Sequence, residues 1–159
     1  MSHVTAQTLA DVRVALDAPP DEVFAFITDH AQLPSWAPGV HRVAVDGSRP
    51  EVAGGPGTER TLYPRFGAEG VETVVASEAP ARFVYSASDA SLRGLCTHHR
   101  TTLSLAPSSA GSRTELRWVV EAAPSPSWWR AWVARWMFGW AARASCRNLG
   151  RIFERRPRT

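Results

Sequence analysis

No lysine occurs among the 159 residues, and all eighteen basic side chains are arginine. A lysine Schiff base is therefore excluded as a reaction route. Cysteine is nearly as scarce: Cys96 and Cys146 are the only two, too few for a disulfide framework in a chain of this size, and both are expected as reduced thiols. No run approaches the roughly 18 consecutive apolar residues of a membrane span. The opening stretch MSHVTAQTLADVRV has neither the basic start nor the apolar core of a secretory signal, which reads as cytoplasmic. A GxSxG elbow, a P-loop and a GxGxxG turn after a strand are all missing, so hydrolase, phosphoryl-transfer and NAD readings have no support. Internal repeats and low-complexity tracts are absent as well.

What is present suits one domain over residues 1–159, since 44% apolar and 21% charged residues allow a substantial core. The net charge is only +3, but it is unevenly placed. Eight arginines lie between Arg130 and Arg158, where Glu154 is the sole acid. This segment reads either as a solvated helix face or as a surface for an anionic membrane or acidic partner.

Hydrophobic periodicity orders the chain. Val12, Val14 and Leu16 alternate with polar neighbours and predict a strand over residues 8–16. Pro19 and Pro20 with the acids Asp21 and Glu22 suit a helix's first turn, with Val23, Phe24 and Ile27 on one face and an end near Asp29. A second short helix or turn follows over residues 30–38. Six further strands are expected at about 40–46, 58–64, 69–77, 82–88, 97–106 and 113–122, separated by GGPG, EAPA, SDAS and PSSAGS clusters of hairpin length. From Ser127 to Arg155 there is no proline, and a helix of almost thirty residues fits, capped by Ser125 or Ser127. The Ser125-Pro126-Ser127 run needs no catalytic role.

Ala18-Pro19-Pro20-Asp21-Glu22-Val23-Phe24, Thr28-Asp29 and Leu33-Pro34-Ser35-Trp36-Ala37-Pro38-Gly39-Val40 come first along the chain. Gly57-Thr58, Glu78 to Tyr85 and Gly111 to Trp118 follow. In that order and spacing the chain resembles the START/SRPBCC superfamily, and within it the polyketide cyclase/dehydrase-like group, over residues 8–155. The resemblance implies an α+β helix-grip fold: a seven-stranded curved antiparallel sheet around a long C-terminal helix, with two short helices after the first strand. It also implies a cavity between sheet and helix, which relatives use for polyketide cyclisation, for lipid or quinone carriage, or for sensing. No catalytic motif transfers residue by residue, so the chemistry stays open.

Candidate site residues follow from strand parity. His99 shares the apolar face of its strand with Leu103 and Leu105, and reads either as a hydrogen-bonded core histidine or as a cavity acid or base. Tyr85 and Trp118 each offer a flat body and one polar handle. With Phe83 and Leu103 they are expected on the concave face, with Trp36 near the opening. Tyr63 and Arg65 flank Pro64 at a strand end; Arg65 is either a surface arginine or an anchor for a carboxylate or enolate. Adjacent His98 and His99 should point to opposite faces, while Cys96 and His98 share a parity. Two such ligands make no zinc site, so no metal is expected, and no cofactor.

Two functions compete. One is cyclisation or dehydration of a polyketide-like substrate, with His99 and Tyr85 as catalytic candidates. The other is non-catalytic carriage or sensing of a lipid, quinone or similar apolar molecule. Nucleic acid is not an expected partner, because the arginines lie on one helix without a reader motif. That helix carries two stripes at about 100° per residue. Ala131, Ala134, Phe138, Ala142, Ser145, Leu149, Ile152 and Phe153 form the core stripe. Trp128, Trp129, Trp132, Trp136 and Trp140 form another, which turns cationic through Arg143, Arg147 and Arg151. The second stripe is either buried by the short helices or exposed as a homodimer contact or a membrane-facing patch.

Overall fold

The computed structural model describes residues 5–48, 54–109 and 112–154. Met1 to Val4, Gly111 and the basic residues Arg155, Arg156 and Arg158 lie outside them. Seven strands form one antiparallel sheet: β1 (Gln7–Leu16), β2 (Val40–Val45), β3 (Glu59–Pro64), β4 (Gly70–Glu78), β5 (Arg82–Ala87), β6 (Cys96–Pro107) and β7 (Thr114–Pro124), in spatial order β1-β7-β6-β5-β4-β3-β2. Helix α1 (Pro20–Thr28) and a 3₁₀ turn (His30–Gln32) leading into α2 (Leu33–Trp36) follow β1, and α4 (Trp128–Glu154) closes the chain. The helix-grip fold expected from the sequence is the fold observed.

One element escaped the sequence. The SDAS cluster, expected as a simple hairpin connection, contains the short helix α3 (Asp89–Leu92). Ser88 caps it by accepting from the Ser91 N–H, and Arg93 ends it in the left-handed region at φ 50°.

Four ladders carry a register shift: between Thr8 and Ala10, Val40 and Arg42, Val74 and Ala76, and Thr97 and Arg100. Each such bulge bends its strand and raises the local twist, and together they account for the curl of the sheet. The bulge in β6 also overturns the parity expected there. His98 takes φ 52° and is exposed, its N–H donating to Asp89 Oδ1 at 3.0 Å, while Cys96 and His99 are both buried. Strict alternation had paired Cys96 with His98.

The convex face is polar, and Arg117–Asp11 and Arg13–Glu115 pair across β7 and β1. The concave face holds the core, with Leu16, Leu103, Leu116 and Val120 buried. Helix α4 packs chiefly on β1, with further contacts to α2, β7 and β6. Its Ala134, Ala142, Ser145, Leu149 and Phe153 are buried, as the core stripe requires. The five tryptophans are not: their exposure runs from 44% at Trp140 to 82% at Trp128. Burial of the early helix on two sides is thereby excluded.

These two faces of α4 predict opposite responses to truncation. Leu149→Ala leaves a void in a fully buried site and should lower unfolding free energy by about 2–5 kcal/mol. Trp136→Ala, on the outer face, should change it by no more than about 0.5 kcal/mol. Urea denaturation of both variants checks the pair.

Candidate functional site

The stripe on α4 fills the concave face with Leu149 and Phe153 toward its end, but one turn earlier it presents Ala141, Ala142 and Ser145. Side chains this small do not reach the sheet. A cavity of about 160 Å³ is left between them and the walls formed by Trp36, Trp118, Tyr85 and Phe138. Trp36 packs edge-on against Trp118, with ring centroids 5.7 Å apart, and its carbonyl accepts from Asn148 Nδ2 at 3.0 Å. It is buried, and its indole Nε1 has no hydrogen-bond partner among the described residues.

A charged group that the sequence did not single out stands in this apolar wall. Arg60 is 1% exposed and lines the cavity. It faces Glu72 directly across the β3–β4 ladder, with Nε and Nη2 at 2.9 and 2.7 Å from Glu72 Oε2. Nη1 donates to His30 Nδ1 at 3.2 Å, and the guanidinium lies 4.8 Å over the Tyr85 ring. Burial and the adjacent Arg60 charge hold His30 below its ordinary pKa, so it accepts as a neutral ring. Three of the five guanidinium N–H groups are thus engaged. The other two have no partner among the described residues.

His99 also lines the cavity, and both of its nitrogens are occupied. Nδ1 accepts from the Ala87 N–H at 2.9 Å, which puts the ring proton on Nε2, 3.1 Å from Thr101 Oγ1. The ring stacks on Phe138 at 5.1 Å. Burial pushes its pKa down to about 4. Tyr85 is shifted the other way, well above the ordinary phenol, by burial first and then by the Glu72 charge. At neutral pH both are uncharged.

Among the residues named from sequence, the cavity therefore gathers Trp36, Tyr85, His99 and Trp118. Phe83 and Leu103 are fully buried but pack in the core beside it, paired with each other across β5 and β6. Arg65 is exposed just past the end of β3, and Tyr63 is half-buried with the Arg42 guanidinium 3.8 Å over its ring. Neither lines the cavity: Tyr63 alternates with the cavity-lining Arg60 and Leu62 along β3 and so takes the other face of the strand, and Arg65 lies past the strand's end. Arg60 was findable in principle: an arginine and a glutamate twelve apart on consecutive strands are candidates for a cross-strand pair.

The model of the family described as polyketide cyclase / dehydrase and lipid transport matches residues 7–154. The chain belongs to that family. No curated protein matches it, but solved structures share its fold. A Thermobifida fusca protein is 24% identical with a TM-score of 0.69, covering 90% of this chain and 93% of that one. Norcoclaurine synthase from Thalictrum flavum, in complex with dopamine and hydroxybenzaldehyde, is 13% identical with a TM-score of 0.73, covering 97% and 90%. The di-domain ARO/CYC StfQ of steffimycin biosynthesis is 14% identical with a TM-score of 0.69; 95% of this chain matches 51% of that one. These likenesses establish the helix-grip architecture of this family member.

Two predictions test the electrostatics. Glu72→Gln strands a buried guanidinium and should destabilise by about 3–5 kcal/mol, most of it recovered in the double variant Arg60→Met/Glu72→Leu. For His99, the unfolded chain takes up a proton below pH 6.5 that the folded chain accepts only near pH 4. Stability should therefore fall as pH drops through that window, by up to roughly 3 kcal/mol from this residue. Denaturation of the wild type and His99→Gln between pH 7.5 and 4 reads the difference, since His30 contributes equally to both.

Proposed function

We propose that this family member binds a flat, largely apolar small molecule carrying an oxygen function, and that it holds the molecule rather than transforms it. The carrying observation is the state of His99. A ring with both nitrogens engaged and a pKa of about 4 is a poor acid or base at neutral pH, where general catalysis needs a pKa near the operating value. The same groups suit recognition. Aromatic walls stack on the ligand body, while the uncommitted Arg60 N–H groups and the Trp36 indole N–H supply donors for its oxygen.

Size supports the same reading. A cavity of about 160 Å³ is close to the roughly 150 Å³ void that accepts benzene in an engineered core. It has room for about one ring. A second reading, cyclisation or dehydration of a polyketide-like substrate, draws on Arg60 lying over Tyr85. A phenol donor beside a buried cation is an arrangement that stabilises an enolate.

Native mass spectrometry of the protein purified from its host should reveal a retained small molecule. Ala142→Phe, which fills the cavity, should weaken its binding by about tenfold or more, while His99→Phe leaves binding nearly intact. A ligand that survives Ala142→Phe unchanged would refute the cavity as its site. Turnover of a polyketide-like substrate that drops about 100-fold in Tyr85→Phe, with binding retained, would replace the carrier by the enzyme.

A further inference from the structure

The core stripe of α4 runs the whole length of the helix, so nothing about holding the fold requires indoles on the other side. At 100° per residue the five tryptophans centre roughly 140° from that stripe, which points them away from the sheet. All five are exposed. The same outward arc continues along the helix into Arg143, Arg147 and Arg151, which are exposed too. Within the tryptophan half, the missing side chain at Gly139 makes room for a guanidinium: a Cβ there would lie 3.2 Å from Arg143 Nη1. Arg130 in turn lies 5.2 Å over the Trp129 ring. Guanidinium groups thus border the tryptophan half of the helix at both of its ends.

We propose that this outer face of α4 is a docking surface for an anionic membrane, with the tryptophans seated at the headgroup level and the arginines on lipid phosphates. Tryptophan, with an apolar body and one N–H donor, is the side chain that favours the boundary between hydrocarbon and water. Guanidinium is the group best matched to phosphate oxygens. Charge complementarity selects the partner. Helix α4 carries five arginines, Arg130, Arg135, Arg143, Arg147 and Arg151, against Glu154 alone. A second copy docking here would bring more arginine and no matching carboxylates. No described helix is long and apolar enough to cross a membrane, so the helix lies on the surface, its inner face still holding the sheet. The inference is independent of what the cavity holds.

The experiment uses the full chain with vesicles of phosphatidylcholine, alone or mixed with phosphatidylglycerol. The protein should co-sediment with the mixed vesicles at least about tenfold more than with the neutral ones, and high salt should release it. Lipids brominated along the acyl chain should quench its fluorescence, a readout that needs no substitution. Trp132→Ser/Trp136→Ser and Arg143→Glu/Arg147→Glu, all at exposed positions, should each abolish binding while leaving thermal unfolding unchanged. Absence from both vesicle types would overturn the proposal, as would equal binding to both, or adhesion without quenching that survives the tryptophan substitutions. So would a dimer in sedimentation analysis that ignores vesicles and dissociates in Trp132→Ser/Trp136→Ser.

Discussion

Seven strands curl into a trough because four of their ladders carry one residue more on one side than on the other, and a trough needs something convex to fill it. Helix α4, twenty-seven residues long, lies in it against β1, β7 and β6. Its apolar stripe and the concave face of the sheet are the two halves of one core, and the remaining features are set by how well they match. Where the stripe offers Leu149 and Phe153 the trough is filled. At Ala141, Ala142 and Ser145 it is not, and a cavity remains. Close packing is the default for protein interiors, so a void walled by two tryptophans, a tyrosine and a phenylalanine is a feature of side-chain choice along one turn of one helix.

A buried guanidinium in such a wall has to be balanced, since an unpaired charge at this depth would cost several kcal/mol. Glu72 balances it from the neighbouring strand, and His30 takes a third N–H as a neutral acceptor. The result is a polar corner whose geometry is fixed before any ligand arrives. Donors held in place by other bonds lose little freedom on binding, which favours recognition. The same fixing works against proton transfer. His99 would have to give up its bond from the Ala87 N–H to become charged, and burial opposes the charge as well.

Helix α4 thus serves two environments with one sequence. Its inner face is chosen by volume, small residues beside large ones. Its outer face follows a different logic, in which large apolar side chains are placed where they contribute nothing to the core. Exposed apolar patches of that kind are uncommon on a protein that meets only water. The family assignment does not account for them, because the fold is complete without them.

The sequence by itself determined the architecture. Period-two alternation in β1, β6 and β7, the proline-and-acid start of α1 and the proline-free final stretch each reflect local constraints that hold whatever the partners are. The two stripes of α4 were legible for the same reason, as angles on a helix. Three things were decided only by the tertiary structure. The β6 bulge reversed the roles of His98 and His99's neighbours, because an extra residue in a ladder leaves no mark on alternation until a partner strand sets the register. The Arg60–Glu72 pair emerged only when β3 and β4 were aligned, and it moved the polar corner of the site from Arg65 inward. Whether the tryptophan stripe is also covered was likewise undetermined until the short helices had taken their places elsewhere, since a helix with a second apolar stripe does not itself specify whether anything packs on it.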